Sequence, residues 1–411
     1  MSADPQSGDR PQPGSTFQPG GTPPAGRLRW GMVGGGDGAF IGGVHRMAAR
    51  IDDRFELVAG CFASTPERSR ASAARLHVDP DRAYGGFDEM ARAEAARADG
   101  IQVVSIVTPN HLHVPAARAF LEAGIDVICD KPLSVTVEDA AGLAELVASS
   151  GLVFVLTHNY SGYPMIRQAR SMVAAGELGR IRLVQVEYAQ DWLTLPLEAD
   201  GQNKQATWRT DPAKSGLAGC VGDIGSHAMH LATFVSGLSL EAVCADLSTM
   251  VEGRMLDDNA MMLLRFEGGA RGGLWASQVA PGNANALRLR VYGEKAGLDW
   301  SQEQPEELRF TPLDEPARLL RRGCAGLRAD AVRASRIPAG HPEGYLEGFA
   351  TLYSDAAEQI EARRSGRASD PAALLTPTAQ DGVEGMRFIQ AAVQSSRAGA
   401  VWISMRENRQ P

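Results

Sequence analysis

The chain has no uninterrupted apolar run approaching about 18 residues, so no membrane-spanning helix is expected. Its cysteines, Cys61, Cys129, Cys220, Cys244 and Cys324, stand singly and are odd in number, with no Cys-x-x-Cys pair. That argues against a disulfide framework and a cysteine zinc site, and it fits a reducing cytoplasm. Runs of Lys or Arg interleaved with aromatics are also missing, and the formal charge is −8. Nucleic acid and anionic membrane surfaces are therefore not expected partners. The first 26 residues, MSADPQSGDRPQPGSTFQPGGTPPAG, lack the apolar stretch of a secretory signal. Rich in Pro, Gly, Ser and Gln, they bury too little to offset chain entropy and are predicted to be a disordered tail. No internal repeat is evident.

What remains is long enough for two cores. LRWGMV, from Leu28, reads as a buried strand, and GGGDGAFIGGVHRMAAR as a glycine-rich turn opening a helix. Glycines there let backbone approach a pyrophosphate while helix-start N–H groups point at its charge. Gly34 and Gly36 fit the first two positions of a dinucleotide fingerprint. Ala39 occupies the third, unless Gly42 opens the helix after a longer loop through Phe40 and Ile41. FELVAGCF is a second strand, followed by a helix that Thr65 can cap. At its end, where an NAD site usually has an acid for the ribose hydroxyls, stand Cys61 and Phe62, then Ser64 and Arg68. These lean toward NADP over NAD, although Arg68 reads equally well as a solvated helix residue.

IQVVSIVTPN, VICDKPLS and GLVFVLTHNY supply further strands between helical segments, one of them capped at Thr136. Such alternation predicts a doubly wound parallel sheet with its ligand past the strands' carboxyl ends, where Thr108, Pro109, Asn110, Lys131, His158, Asn159 and Tyr160 fall. A Lys-Pro pair is usually an ordinary turn, but Pro132 restricts Lys131, so this lysine is held. After about Gly162, a helix near Met165 to Ala175 precedes longer strands, IRLVQVEYAQ, LEAVCADLSTM, NAMMLLRFEGG, RGGLWASQV and ALRLRVYGEK, with a hairpin at Glu267-Gly268-Gly269. Thr311 to Pro342 reads as loop. Helices return over Glu343–Arg363 and Gln380–Arg397, and VWISM forms a terminal strand. The expected organisation is a tail (1–26), a Rossmann domain with a doubly wound parallel sheet (27–160), and a C-terminal α+β domain for substrate and oligomer contacts (161–411). That second domain carries an open, mainly antiparallel sheet, and a C-terminal segment of it can pack back on the first domain.

In the second half, WRTDPAKSGLAGCVGDIGSHAMHLATFVSG runs from a glycine-rich loop into a helix. Asp223 and His227, four apart, share a helical face, with His230 close by. A carboxylate one turn before an imidazole can orient it as a general base. The same three residues could ligate a metal, but no further ligand-rich segment accompanies them and hydride chemistry needs none, so no metal is expected. A capping Asp beside core histidines is the structural alternative.

Taken jointly and in order, the glycine turn, TPNHLH, DKP and GDIGSH make the chain from Leu28 onward resemble the Gfo/Idh/MocA oxidoreductases. The resemblance implies a Rossmann domain binding NAD or NADP and hydride transfer at a secondary hydroxyl or carbonyl of a sugar, sugar derivative or cyclitol. It also implies a homo-oligomer through the C-terminal sheet. Lys131, Asp223 and His227 would be catalytic, with Asn110 and His113 in the cofactor-side turn and Trp208 and Arg209 lining the cleft. Asn159, Tyr160, Arg209 and His341 are further candidate substrate contacts. Asp130 replaces the family's glutamate, and the glycine loop is about three residues longer than in many members. The resemblance also takes in non-catalytic dinucleotide-binding regulators and glycosidases that work by transient oxidation. The presence of Lys131, Asp223 and His227 speaks against the first.

Overall fold

The computed structural model describes residues 26–405, so the expected tail falls, but for Gly26, outside the described residues. Five parallel strands form the first sheet: β1 (Leu28–Gly34), β2 (Phe55–Cys61), β3 (Val103–Val107), β4 (Asp126–Cys129) and β5 (Phe154–Leu156), in the order β2-β1-β3-β4-β5. Helices alternate with them, and Thr65 and Thr136 cap two, accepting from the Arg68 and Asp139 N–H groups. β3 to β5 are buried along their whole length, which is why they read as continuous apolar runs. The strand order reverses between β1 and β3, and there the carboxyl ends leave a crevice.

The second sheet has nine strands: β6 (Ile181–Ala189), β7 (Leu240–Ser248), β8 (Asn259–Phe266), β9 (Arg271–Ser277), β10 (Ala286–Gly293), β11 (Ala296–Ser301), β12 (Glu307–Pro312), β13 (Arg318–Arg321) and β14 (Ile403–Ser404). Their order is β13-β12-β11-β10-β6-β9-β8-β7-β14, antiparallel except where β6 meets β9. The expected strands and terminal strand are present. The stretch Thr311 to Pro342 departs from expectation, since it holds β13 and the helix Ala329–Arg333 rather than loop alone. RLLR is an exposed edge strand held by pairing to β12, and an edge without a buried face leaves no alternation to read. β11 and β12, with Leu298, Trp300, Leu308 and Phe310 turned inward, also extend the expected set.

One face of this sheet packs on the helices Pro164–Ala174, Ser226–Ser236 and Ala379–Arg397. The other is open. Met261 and Leu263 of β8 face outward in register with Trp275 and Gly273 of β9, and those with Glu187 and Gln185 of β6.

The helix Tyr345–Ser365 crosses back to the first domain. Phe349, Leu352, Tyr353, Ala356 and Ile360 join one apolar cluster with Trp30, Val44, Ala48 and Phe55. A buried polar chain stitches the contact: Trp30 Nε1 donates to Ser105 Oγ (2.9 Å), which meets Tyr353 OH (2.7 Å), which meets His45 Nδ1 (2.8 Å). Arg363 also bonds the fully buried Asp126 at 2.7 Å. This helix places Tyr345 and Phe349 on the wall of the crevice.

Candidate active site

A cleft of about 1390 Å³ runs from the glycine turn, past the ends of the parallel strands, to the loops of the second sheet. At its first end Gly34 adopts φ +81°, and a side chain there would meet the Val107 carbonyl at 2.7 Å. A Cβ on Gly36 would lie 2.5 Å from the Phe62 carbonyl. The helix starts at Phe40 with Ala39 as an extended N-cap, and Gly42 packs in its first turn on Gly35, where a Cβ would come within 2.3 Å of the Gly35 Cα. Gly42 is thus the glycine of close strand–helix approach. Ala39, Phe40 and Ile41 line the cleft around it. Asp37 in the same loop bonds Arg75 at 2.6 Å.

Ser64 and Arg68 line the wall after β2, beside Ser72 and Arg75, and no carboxylate ends that strand. At the end of β3, Thr108, Pro109 and Asn110 line the cleft. Thr108 Oγ1 is buried without a partner among the described residues, while Asn110 Nδ2 donates to the Ser215 carbonyl at 3.1 Å. His113 is buried beneath the cleft, bonded to the turns on either side of it. Its Nδ1 sits 2.7 Å from the Pro132 carbonyl and its Nε2 2.9 Å from that of Thr108. It braces the turns after β3 and β4, and His111, two residues before it, reaches the lining.

Beyond β4, Asp130 Oδ1 accepts from the Lys131 N–H and from Thr157 Oγ1, both at 2.9 Å, so this carboxylate serves the loop. The Lys131–Pro132 bond is cis. Lys131 Nζ donates to the Asp223 carbonyl at 2.6 Å and to Asp223 Oδ1 at 3.0 Å. Asp223 Oδ2 accepts from Arg209 Nε (3.2 Å) and Gln278 Nε2 (2.9 Å). Burial pushes the Asp223 carboxyl upward, but the charges of Lys131 and Arg209 and the lysine hydrogen bond outweigh it, holding the group well below the usual carboxylate range. The Arg209 guanidinium lies 4.3 Å from the Trp208 ring centre, and both residues line the cleft, as expected.

The expected pairing of Asp223 with His227 is not formed. Val221–Gly225 is a π-helical turn ahead of the helix Ser226–Ser236, and both carboxylate oxygens of Asp223 are already taken, Oδ1 by Lys131 and Oδ2 by Arg209 and Gln278. Buried Asp257 holds the turn's start, accepting from the N–H groups of Gly219 (2.6 Å) and Val221 (2.9 Å). Asp223 therefore turns to the lysine, and His227 Nδ1 faces His158 Nδ1 at 3.4 Å. Burial first and the Lys131 charge second depress the His227 pKa well below its ordinary value. The ring is neutral and lines the cleft. His230 packs instead, stacked on His158 at 4.2 Å.

Asn159 and Tyr160 line the cleft. Asn159 Nδ2 is buried without a partner among the described residues, whereas Tyr160 OH is engaged by Tyr188 OH (2.5 Å) and Asn285 Nδ2 (3.3 Å). His341 is corrected: it is exposed, lies away from the cleft, and offers its backbone carbonyl to Arg322. That buried arginine anchors the loop, which GHPEGY alone does not reveal. Sequence reasoning missed Gln278, Tyr188, Gln190, Trp192 and Asn285. Tyr188, Gln190 and Trp192 alternate along the end of β6 and the residues after it, while Gln278 and Asn285 come from the segment between β9 and β10. His158 stood at a strand end without an assigned role.

A glycine cradle that a Cβ would fill and the unpartnered Thr108 Oγ1 and Asn159 Nδ2 suit a dinucleotide laid along the cleft with a polar substrate beyond it. Residues 28–169 match the description "Oxidoreductase family, NAD-binding Rossmann fold", and residues 166–299 match "GFO/IDH/MocA C-terminal domain". An oxidoreductase from Sinorhizobium meliloti is 52% identical, with a TM-score of 0.83 over 92% of this chain and 100% of that one. An inositol dehydrogenase homologue from Azotobacter vinelandii, solved with NAD+, is 40% identical, with a TM-score of 0.88 over 92% and 98% of the two chains. Its complex with NADH and myo-inositol gives 39% and 0.85, with the same coverage. The uncharacterized oxidoreductase YfiI of Bacillus subtilis is 34% identical over 92% of this chain and 97% of its own.

Proposed function

As the chain belongs to the Gfo/Idh/MocA oxidoreductase family, we propose that it oxidises or reduces a secondary alcohol or carbonyl of a cyclitol or sugar in this cleft. The observation that carries this reading is that the Lys131 ammonium and the neutral His227 ring open on one cleft that begins at the glycine cradle. A bound nicotinamide dinucleotide supplies the hydride acceptor or donor. His227, neutral and buried, takes the hydroxyl proton. An ammonium has three donors, and Lys131 commits two to Asp223, so one remains to hold the substrate oxygen as negative charge develops on it. Asp223, pinned by Arg209 and Gln278, aims the lysine rather than the histidine. Asn159 offers a free amide donor to the substrate, and Tyr160, Tyr188, Trp192 and Trp208 give it aromatic walls over which ring C–H faces can lie.

Ser64 and Arg68, with no acid after β2, favour NADP. The Azotobacter relative, solved with NAD+ and with NADH, keeps NAD in the comparison. The open sheet face carrying Leu183, Met261 and Leu263, the last two 58% and 59% exposed, is proposed to join copies of the chain, which mass measurement in solution tests. The deciding experiment is a panel of inositols and sugars with NAD+ and NADP+ separately, following reduced nicotinamide. Turnover with a cyclitol or sugar, lowered by about 10²–10⁴ in His227→Ala, is expected. No reduction with any member, or a wild-type rate in the variant, overturns the reading.

A further inference from the structure

We propose that His158 is a positioning residue that sets the tautomer of His227, an inference that rests on His227 being the proton acceptor of the reaction above. The two Nδ1 atoms face each other at 3.4 Å with rings at 85°, and one hydrogen bond between them takes one proton. Both rings are buried. Neutral imidazole carries a single N–H, so two arrangements exist. With the proton on His227 Nδ1, His227 donates to His158 and leaves its own Nε2 as a lone pair that can take a proton. With the proton on His158 Nδ1, His227 must carry Nε2–H and cannot act as a base.

Only the first arrangement spans the reaction without reshuffling. On oxidation the substrate O–H bond breaks and its proton goes to His227 Nε2. The carbon's hydrogen would leave as hydride, for which a bound nicotinamide would be the acceptor, and the C=O bond would form. His227 becomes a cation still donating Nδ1–H to His158, and in reduction the Nε2 proton returns to the carbonyl oxygen. Once His227 is a cation, His158 remains the acceptor because nothing around it favours its own cation. It stacks on His230 at 4.2 Å, faces His227, and feels Lys131, and burial first and these neighbours next hold its pKa well below the ordinary value. His227 is faced by Lys131, Asp223, His230, Tyr160 and Tyr188. His230 in turn feels Asp381 and Arg170 from the helices packed on it. An orienting carboxylate in the place of His158 would raise the basicity of His227 with a full charge. An uncharged imidazole orients it without that cost.

The test reads the tautomer directly. The full chain, labelled with ¹⁵N-histidine and free of dinucleotide, is examined by long-range ¹H–¹⁵N correlation, with the His227 signals assigned by their loss in His227→Ala. Wild type is expected to show Nδ1–H and a bare Nε2, whereas His158→Phe shifts His227 toward Nε2–H. His158→Asn, whose Oδ1 stands near the position of the imidazole Nδ1, is expected to restore the wild-type pattern. In turnover, His158→Phe lowers kcat about tenfold or more with KM within about threefold, and His158→Asn recovers most of it. An Nε2–H tautomer in wild type, an unchanged kcat in His158→Phe, or an equal loss in both variants overturns the proposal. Full activity in His227→Ala would instead remove the base assignment itself, so the two failures are separable.

Discussion

Replacing Lys131 by Met keeps the aliphatic stem and removes the ammonium. The stem is mostly buried, and Asp223 keeps two donors, Arg209 Nε and Gln278 Nε2, so the fold and the carboxylate are expected to survive. What disappears is the single N–H left for substrate after two are spent on Asp223 at 2.6 and 3.0 Å. Loss of one donor aimed at a developing oxyanion costs about 2.7–4 kcal/mol, or ~10²–10³ in kcat. A second effect follows from the field of the lysine. Burial and then the Lys131 charge depress the His227 pKa, so removing that charge raises it. The base becomes protonated at higher pH, and the acid limb of the residual kcat/KM profile moves up. Steady-state turnover across pH, with dinucleotide affinity from nicotinamide fluorescence and a thermal melt to verify folding, reads all three. A kcat within about threefold of wild type, a loss of dinucleotide affinity as large as the loss of rate, or an acid limb moving down would refute the reasoning.

Arg68→Ala is expected to weaken NADP binding about tenfold and to leave NAD nearly unchanged, by titration of each dinucleotide. Equal effects on both would remove the 2′-phosphate role. Gly42→Ala places a Cβ 2.3 Å from the Gly35 Cα, where backbone must move, and should cost about 1–3 kcal/mol and loosen both dinucleotides, seen as a lower Tm and higher Kd. Stability should also fall with acid. Burial lowers the His45 pKa from 6.5 to about 4, so between those values the unfolded chain binds a proton that the folded chain refuses. That loses about 2 kcal/mol by pH 5 from this ring alone. Thermal melts at pH 7 and 5 measure it, and a His45→Phe variant whose pH dependence matched wild type would count against the assignment.

The first domain was legible because its signals are local. Buried parallel strands are short apolar runs, threonine caps mark two helix starts, and Gly34, Gly36 and Lys131 sit at turns that alternation predicts. Asp223 and His227 share the cleft without a mutual hydrogen bond because Lys131, Arg209 and Gln278, brought in from elsewhere in the chain, take the carboxylate. The π turn depends on Asp257, whose carboxylate arrives from beyond the helix. His158, Gln278 and Asn285 meet the site through long-range packing, which no window of sequence contains. His341 shows the converse: a suggestive GHPEGY segment that Arg322 fastens elsewhere. RLLR was unreadable for a third reason, since an edge strand with no buried face has no period.

The return of Tyr345–Ser365 to the first domain bears on how the chain is made. Strand β5 ends at Leu156, yet the apolar surface around Trp30, Val44 and Phe55 is covered by residues that emerge about 200 positions later. At synthesis rates of about 5–20 residues per second, that surface stays uncovered for roughly 10–40 s after the five parallel strands have left the ribosome. During that interval the nascent first domain exposes the patch that the helix Tyr345–Ser365 will occupy, so its core closes only after most of the second sheet has been made.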